Sequence, residues 1–533
     1  MNTIPITTTA PARVKNGLFS GSDGRSLFFT FTLVSSLFLL WGFCNGMIDV
    51  MDKHFQKELG LTLAQSAWVQ FAHYLGYFLM AMPAGWLASK LGYKGGIIMG
   101  LLIVAVGGFW FIPATKIATF PAFLLGVCLI ASGLTFLETV ANPYTTVLGP
   151  KEFAATRINL AQSCNGIGWI FGPIAGAQFF YGMNAAGQNT GSQTLWIPYA
   201  VVGAVVLVLS VVFCFSFLPD IQSEDEFHID DPKDSIAYAP VPNKGGALCL
   251  LWLNILVLAV AVGMIFSAIV AIPVVGAKLG MSDGKALLYA AGALLVIGTI
   301  FFATNTKRIT NHSIWSHPHF SGATLTQFFY VAAQSGIFAY FINYMTSQIP
   351  PVPISWKSGM FNAWFEVHAT NGLMGLSDKG ASTLASLGFF FFLAGRFIGA
   401  ALLRKFRPHN VLATFAAAAG LCALLVMLKL GWLSAVALFF TYFFMSIMFP
   451  TIFSLGIHGL GARAKKASSF IVMAIMGGAI MPKLMGHIGD IYGMSTAFVV
   501  PLICFILIAL YSFLWPKLVR SEMEAIIDSS GSS

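Results

Sequence analysis

The residue that most needs a chemical reason is Glu138, in the stretch FLETVANPYTTVLGP at 136–150, the end of an apolar run that begins at Phe120. A charge at the centre of a bilayer costs about 2.5–3.5 kcal/mol on insertion scales. The acid therefore needs a partner, a water-filled cavity or a proton. A carboxyl that loads and unloads a proton could carry it across; the competing use is an acid that bonds a neighbouring helix. Asp49 lies toward the end of an earlier apolar run, where it either titrates or faces water. Asp52, three residues on, reads as a loop residue.

Other side chains could handle a neutral, hydroxyl-rich solute. Trp41 precedes Asp49 by eight residues, about 12 Å along a helix. Its ring could stack on the C–H face of a sugar or simply pack between helices. Gln162 and Asn165 are three apart and share a helix face. Their amides offer donors and acceptors to hydroxyls, or hydrogen bonds between helices. Gln334 and Asn343 are similar candidates, nine apart. That is about 900° of helix and leaves them half a turn apart. Facing one cavity together would need a break, which Gly336 could supply. Arg396, in AGRFIGAALLRKF, either snorkels to the surface or gates by pairing.

Several chemistries are not supported. No GxxxxGK[ST] loop is present, which argues against an ATP-driven pump. His312, His317 and His319 sit in the polar stretch NHSIWSHPH and read as a loop, not a metal site. The seven cysteines, Cys44, Cys128, Cys164, Cys214, Cys249, Cys422 and Cys504, have no CxxC spacing and read as small apolar fillers. No clustered nucleophile or acid–base set suggests an enzyme or a cofactor.

The elements that must position these residues follow from composition. The chain has 533 residues, 57% of them hydrophobic and 9% charged, with mean hydropathy +0.79. Soluble domains carry roughly a quarter charged residues, so this is an all-α polytopic membrane protein. A barrel would need alternating segments of about ten residues, whereas here the apolar runs are long and unbroken. Spanning candidates are 27–48, 65–87, 95–113, 120–142, 157–180 and 195–218; then 247–273 and 286–304; then 320–345, 380–402, 409–428, 433–456, 467–487 and 495–515. They make about fourteen helices, grouped six, two and six. The expected units are a tail at 1–26, a six-helix domain at 27–218, an acidic linker at 219–246, a helix pair at 247–304, a second six-helix domain at 320–515 and a tail at 516–533. The first 26 residues lack the apolar core of a cleaved signal peptide.

Basic residues in short loops set the orientation. Arg13, Lys15, Arg25, Lys90, Lys94, Lys151, Arg157, Lys307, Arg308, Arg404, Lys405, Arg407, Arg463, Lys465 and Lys466 all fall on one side if the N-terminus is cytoplasmic. Both termini and the linker are then cytoplasmic. The net charge of +9 is dispersed over these loops, so it reports orientation and not nucleic-acid binding. The two six-helix groups also look duplicated. Pro143 precedes Gly149 by six residues, as Pro450 precedes Gly456, and Pro173 and Pro482 follow at similar spacing within GIGWIFGPIAG and MGGAIMPKLMG. Such residues allow close packing and bending.

The stretches LFLLWGFCNGMIDV, FAHYLGYFLMAMPAGWLASKLGYKGGIIMG, ASGLTFLETVANPYTTVLGP, RINLAQSCNGIG, QFFYVAAQSGIFAYFINY and SIMFPTIFSLGIHGLG occur in this order over both halves. In them the chain resembles the fucose–galactose–glucose:proton symporters of the major facilitator superfamily. The resemblance implies two six-helix domains around a central cavity, alternating access and a sugar site near midplane. It implies proton coupling at Asp49 and Glu138, and a sugar cavity lined by Gln162 and Asn165. Asn45 is the one amide kept just before the helix 1 acid, with Gly46 and Ile48 where the fucose branch has two more; Phe338 stands where that branch has tryptophan. The IMFPTIF stretch is similar to the glucose/galactose branch, which tends to carry glutamine at the position of Glu138. The helix pair 247–304 lies outside the resemblance, whose members typically have twelve helices.

The expectation is therefore a monomeric, multi-pass protein of a bacterial-type inner membrane that imports L-fucose or a related hexose such as galactose, glucose or N-acetylglucosamine with protons. It would use the proton gradient and no cofactor. Its partners would be the sugar, protons and the lipid bilayer. Trp41, Asn45, Gln162, Asn165, Gln334, Phe338 and Asn343 would contact the sugar; Arg396, Pro143 and Pro450 would gate or shape the helices. A proton-independent sugar uniporter, a small-molecule exporter and a non-transporting sugar sensor are the alternatives.

Overall fold

The computed structural model describes residues 18–19, 26–149, 154–181, 191–218, 244–270, 279–312, 314–356, 364–366, 372–403, 405–458 and 464–530. The expected tail 1–26 and acidic linker 219–246 lie almost wholly outside them. The first half comprises α1 (Phe28–Leu59), α2 (Leu63–Ser66), α3 (Trp68–Ile117), α4 (Phe120–Val147), α5 (Ala154–Phe179), α6 (Gly191–Thr194) and α7 (Trp196–Phe215). The inserted pair is α8 (Lys244–Val270) and α9 (Asp283–His312). The second half comprises α10 (Pro318–Ala339), α11 (Phe341–Gln348), α12 (Asp378–Leu403), α13 (Pro408–Met427), α14 (Trp432–Met445), α15 (Met448–Gly456), α16 (Ala464–Met473), α17 (Gly477–Tyr492), α18 (Met494–Ala497) and α19 (Val499–Ser530). Between α11 and α12 the antiparallel strands β1 (Val352–Pro353), β2 (Phe365–Glu366) and β3 (Leu373–Leu376) pair in the order β1-β3-β2.

Eleven of the described helical segments are long and apolar enough to cross a membrane, twelve if the bent pair α10–α11 is one span. The other two expected segments, 65–87 and 157–180, are helical as well: the first arm of α3, and α5. Polar residues such as Gln70, His73, Arg157, Gln162 and Asn165 lower their hydropathy. The two arms of α3 meet at Gly92, whose φ of 69° is a left-handed conformation open to glycine at little cost. The expected tail at 516–533 is not separate, because α19 continues helical to Ser530.

Glycine pairs set how closely the helices approach. Gly42 and Gly46 on α1 face Gly168 and Gly172 on α5. A Cβ on Gly42 would sit 2.0 Å from the Asn165 carbonyl, and one on Gly168 would sit 2.1 Å from the Leu39 carbonyl. Both pairs are small-xxx-small motifs, which let backbones touch where no hydrophobic effect drives association. On the other side of the molecule, α8 lies along the seam between the halves. Its Ala261 and Met264 share one apolar cluster with Phe71 of α3, Phe328 of α10 and Ala479 and Ile480 of α17. Of the inserted pair α8 is thus the helix packed at the seam, with α9 outside it and only 6% of its apolar window buried.

Arg157, expected in a loop, lies within α5 and is fully buried. Its guanidinium donates to the Thr145 carbonyl at 3.0 Å, the Gly149 carbonyl at 3.2 Å and the Leu18 carbonyl at 3.2 Å. The last carbonyls of α4 have no partner of their own, and a cation at that end opposes the helix dipole.

Candidate functional site

One face of α1 carries Phe38, Trp41, Asn45, Asp49, Asp52 and Gln56, spaced three or four apart. The first arm of α3 answers with Gln70, His73, Tyr74 and Tyr77 on the same rule. Trp41 Nε1 donates to the Tyr77 hydroxyl at 2.6 Å. Gln70 Nε2 donates to one oxygen of Asp49 at 3.2 Å; the other oxygen, on a residue 6% exposed, has no partner among the described residues. The His73 ring meets Tyr74 edge-on at 5.1 Å and lies tilted against Tyr77 at 5.0 Å.

Glu138 faces this arm of α3 from α4. It is half-buried, within electrostatic reach of the Tyr74 and Tyr77 hydroxyls. Among the described residues it has no ion-pair or hydrogen-bond partner. One turn along α4, Asn142 accepts a hydrogen bond from Gln162 Nε2 of α5 at 3.0 Å. The structure therefore brings Trp41, Asn45, Glu138 and Gln162 around a common set of tyrosine and amide groups. Asn165 is different: it is buried, and its Nδ2 donates to the Phe38 carbonyl at 3.3 Å, tying α5 to α1.

The second half supplies an aromatic wall. Phe338 packs on Tyr442 at 4.7 Å and Phe389 at 4.9 Å, and meets Trp169 of α5 at 5.4 Å. Gln334 lies one turn earlier on α10, half-buried and without a partner among the described residues. Tyr330, a further turn back, is within electrostatic reach of both Tyr74 and Arg396. Glu138, Tyr74, Tyr330 and Arg396 thus form a string of polar groups from one half into the other.

Arg396 does not snorkel. Its Nε donates to the Ser446 carbonyl at 3.4 Å, and its guanidinium lies 4.9 Å from the Phe392 ring centre. Pro450 explains why that carbonyl is free. Proline has no N–H to return to residue 446 and its ring crowds that carbonyl, so α14 ends at Met445 and α15 begins at Met448. Pro143, by contrast, lies within an unbroken α4, so the matched prolines do not make matched breaks.

The expected break between Gln334 and Asn343 exists, but at Tyr340 and not at Gly336, with a bend of 49°. It carries Asn343 away from the central groups to the Leu59 end of α1, where its Nδ2 donates to Gln56 Oε1 at 2.5 Å. Other contacts between the halves cluster there. Asp490 of α17 accepts from the Leu63 and Ala64 amides at 2.8 and 2.9 Å. The Tyr340 hydroxyl donates to the Leu63 carbonyl at 2.8 Å, Ser382 Oγ to the Pro173 carbonyl at 2.8 Å, and Lys57 pairs with Asp378. The bundle is laced shut at this end.

Sequence reading missed Asp52, Gln70, Tyr74, Tyr77, Tyr330 and Asp490. For those on α3 a signal was present: polar residues at helical spacing in an otherwise apolar span. Among the described residues no group of three or more His, Cys, Asp or Glu could hold a metal ion. A cleft lined by His54, Phe55, Glu58, Thr115 and Phe123 is bounded by the first half alone and does not reach Glu138.

A family model of the Major Facilitator Superfamily matches residues 26–346. The L-fucose-proton symporter of Escherichia coli strain K12 is 34% identical over 507 residues, covering 92% of this chain and 94% of that protein. The glucose/galactose transporter of Brucella abortus biovar 1 is 27% identical over 497 residues, covering 93% and 96%. Among solved structures, the E. coli fucose:proton symporter in the outward conformation aligns with a TM-score of 0.57 at 30% identity, covering 92% of this chain and 99% of that one. The inward-open E. coli xylose transporter aligns with a TM-score of 0.59 at 11% identity, covering 92% and 95%, a likeness of fold alone.

Proposed function

The chain belongs to the Major Facilitator Superfamily, and from that premise we propose that it imports a monosaccharide in symport with protons by alternating access. It is a membrane transporter and not an enzyme. The observation that carries the reading is Glu138: an acid among tyrosines and amides, inside a membrane helix, with no cation beside it among the described residues. The 34% identity to a protein named an L-fucose-proton symporter supports both halves of the reading, sugar and proton.

In the proposed cycle Glu138 and Asp49 take up protons from the outside. The sugar binds between the halves, with Gln162, Gln334 and Asn45 meeting its hydroxyls and Trp41 and Phe338 its C–H faces. Asn165 sets the α1–α5 approach behind them. Rocking then exposes the site to the cytoplasm. A proton moving down about 100 mV supplies about 2.3 kcal/mol, enough for about 50-fold accumulation. The membrane is a bacterial inner membrane, both termini are cytoplasmic, and the protein works as a monomer. With that orientation the laced end of the bundle is the outer one, and the conformation described above is closed to the outside.

The test is sugar-induced alkalinisation of a weakly buffered cell suspension, scanned over L-fucose, galactose, glucose and N-acetylglucosamine. One of the four should alkalinise the medium in wild type, and Glu138→Gln should abolish both alkalinisation and concentrative uptake. Uptake without alkalinisation, or concentrative uptake that survives Glu138→Gln, refutes proton coupling through this residue.

A further inference from the structure

We propose that Asp52 is an additional proton-binding group of the transport cycle, loaded when the outer end closes. This rests on the symporter reading above. Asp52 is 0% exposed in α1, and among the described residues neither of its carboxylate oxygens has a hydrogen-bond partner by geometry. It stands one turn beyond Asp49 on the same face, and the two carboxyls feel each other's charge. Two buried anions at this separation, without a cation, would have to give up hydration and repel. Asp49 at least receives the Gln70 amide. Asp52 has the same single neutral amide within reach, and by geometry it makes no hydrogen bond to either Asp52 oxygen, so a bound proton is what makes its burial possible.

The surroundings offer no substitute for that proton. On α1, Lys53 is engaged electrostatically with Asp378 and Lys57, and His54 turns its ring to Phe180 and Tyr181. From α3 the neighbour is the neutral amide of Gln70. Tyr181, which donates to the Val50 carbonyl at 2.7 Å, and Tyr340 are within electrostatic reach. Asp490, near Tyr340, is committed to the Leu63 and Ala64 amides. Contacts between the halves lie over this turn of α1: Tyr340, within electrostatic reach of Asp52, donates to the Leu63 carbonyl, and Asn343 donates to Gln56, one turn beyond Asp52. When the halves part at this end, Asp52 meets water and can exchange its proton with the outside. When they close, only the neutral form fits. Proton loading and outer closure are thereby linked, separately from Glu138, which lies deeper among the central tyrosines.

The test uses purified full-length protein in proteoliposomes, with sugar flux and pyranine-reported proton flux measured together for L-fucose and D-galactose. Asp52→Asn should lower the proton-to-sugar ratio by one relative to wild type. It should also lower steady-state accumulation by about 50-fold at a potential of about −100 mV. Asp52→Glu should restore the ratio. Asp52→Leu, which removes the buried polar group, should raise the thermal unfolding temperature, and it serves as the flux variant if Asp52→Asn does not fold. An unchanged ratio in Asp52→Asn or Asp52→Leu overturns the proposal, as does a lowered unfolding temperature in Asp52→Leu. Absence of any sugar-coupled proton flux in wild type is a separate result, and refutes the symporter reading itself.

Discussion

Asp490 joins the halves through the backbone, and removing it should open the laced end of the bundle. Its two oxygens accept from Leu63 N at 2.8 Å and Ala64 N at 2.9 Å, the first amides of α2. Those amides have no helical partner, and a carboxylate there is favoured by the exposed N–H groups. Hydrogen bonds to a charged group are worth about 1.5–3 kcal/mol each. Both bonds lie at the surface, so the lower part of that range applies, with further discount for water that can replace the acceptor. About 2 kcal/mol for the pair is a fair figure, equivalent to about 30-fold in an equilibrium constant. Asp490→Ala should shift the ratio of molecules open to molecules closed at this end by that factor. The Lys57–Asp378 ion pair provides the internal comparison. Lys57 is 52% exposed, and exposed pairs contribute about 0.2–1 kcal/mol, so Lys57→Met should shift the ratio less than about 5-fold. The assay is a distance distribution between spin labels on Leu59→Cys and Tyr492→Cys, with the native cysteines replaced by serine. If Lys57→Met opens this end more than Asp490→Ala does, the backbone latch is not the dominant contact and the reasoning fails.

Two further perturbations test the packing. Gly168→Ala places a Cβ about where the Leu39 carbonyl now sits, 2.1 Å away, so α1 and α5 must move apart; overpacking of this kind costs about 1–3 kcal/mol, and the unfolding temperature should fall. An unchanged unfolding temperature would show that the contact relaxes freely. Pro450→Ala restores an N–H that can bond the Ser446 carbonyl, which displaces Arg396 Nε and closes the gap between α14 and α15. Sugar uptake should fall by about 10-fold, the effect of about 1.4 kcal/mol, and the new amide at 450 should exchange slowly; rapid exchange there would mean the break does not depend on proline.

The helices and their grouping were legible because a bilayer demands long apolar runs, and those runs can be read directly. Glu138 was legible for the converse reason: an acid in such a run stands out. Arg157 was misread, because a basic residue near the end of an apolar run looks like a loop charge until the carbonyls of Thr145 and Gly149 are seen to converge on it. Asp52 was misread likewise. Nothing in the sequence says that α1 continues helical to Leu59, or that the second half folds over its last turns. Gln70 and Tyr77 could have been found by asking which residues of the neighbouring helix repeat at the spacing of the α1 stripe. Asp490 could not, since its role depends on where two halves meet.

The two halves share a pattern of prolines but use it differently. In α4, position 143 sits in a continuous helix, and among the described residues no side chain takes the Thr139 carbonyl. At 450 the carbonyl four residues back has a waiting donor in Arg396, and the helix divides. A proline removes a bond and crowds the carbonyl four residues back; here the helix divides where Arg396 claims that carbonyl. Arg396 therefore converts a repeated sequence feature into a local asymmetry, and it is linked through Tyr330 and Tyr74 to the side of the molecule that holds Glu138. The first half carries Asp49, Asp52 and Glu138, the acids without a cation, on helices that run unbroken. The second half carries the broken helices, α10–α11 and α14–α15. Movement of the laced end is thus expected to begin in the second half, at Tyr340, and to act on acids held rigid in the first.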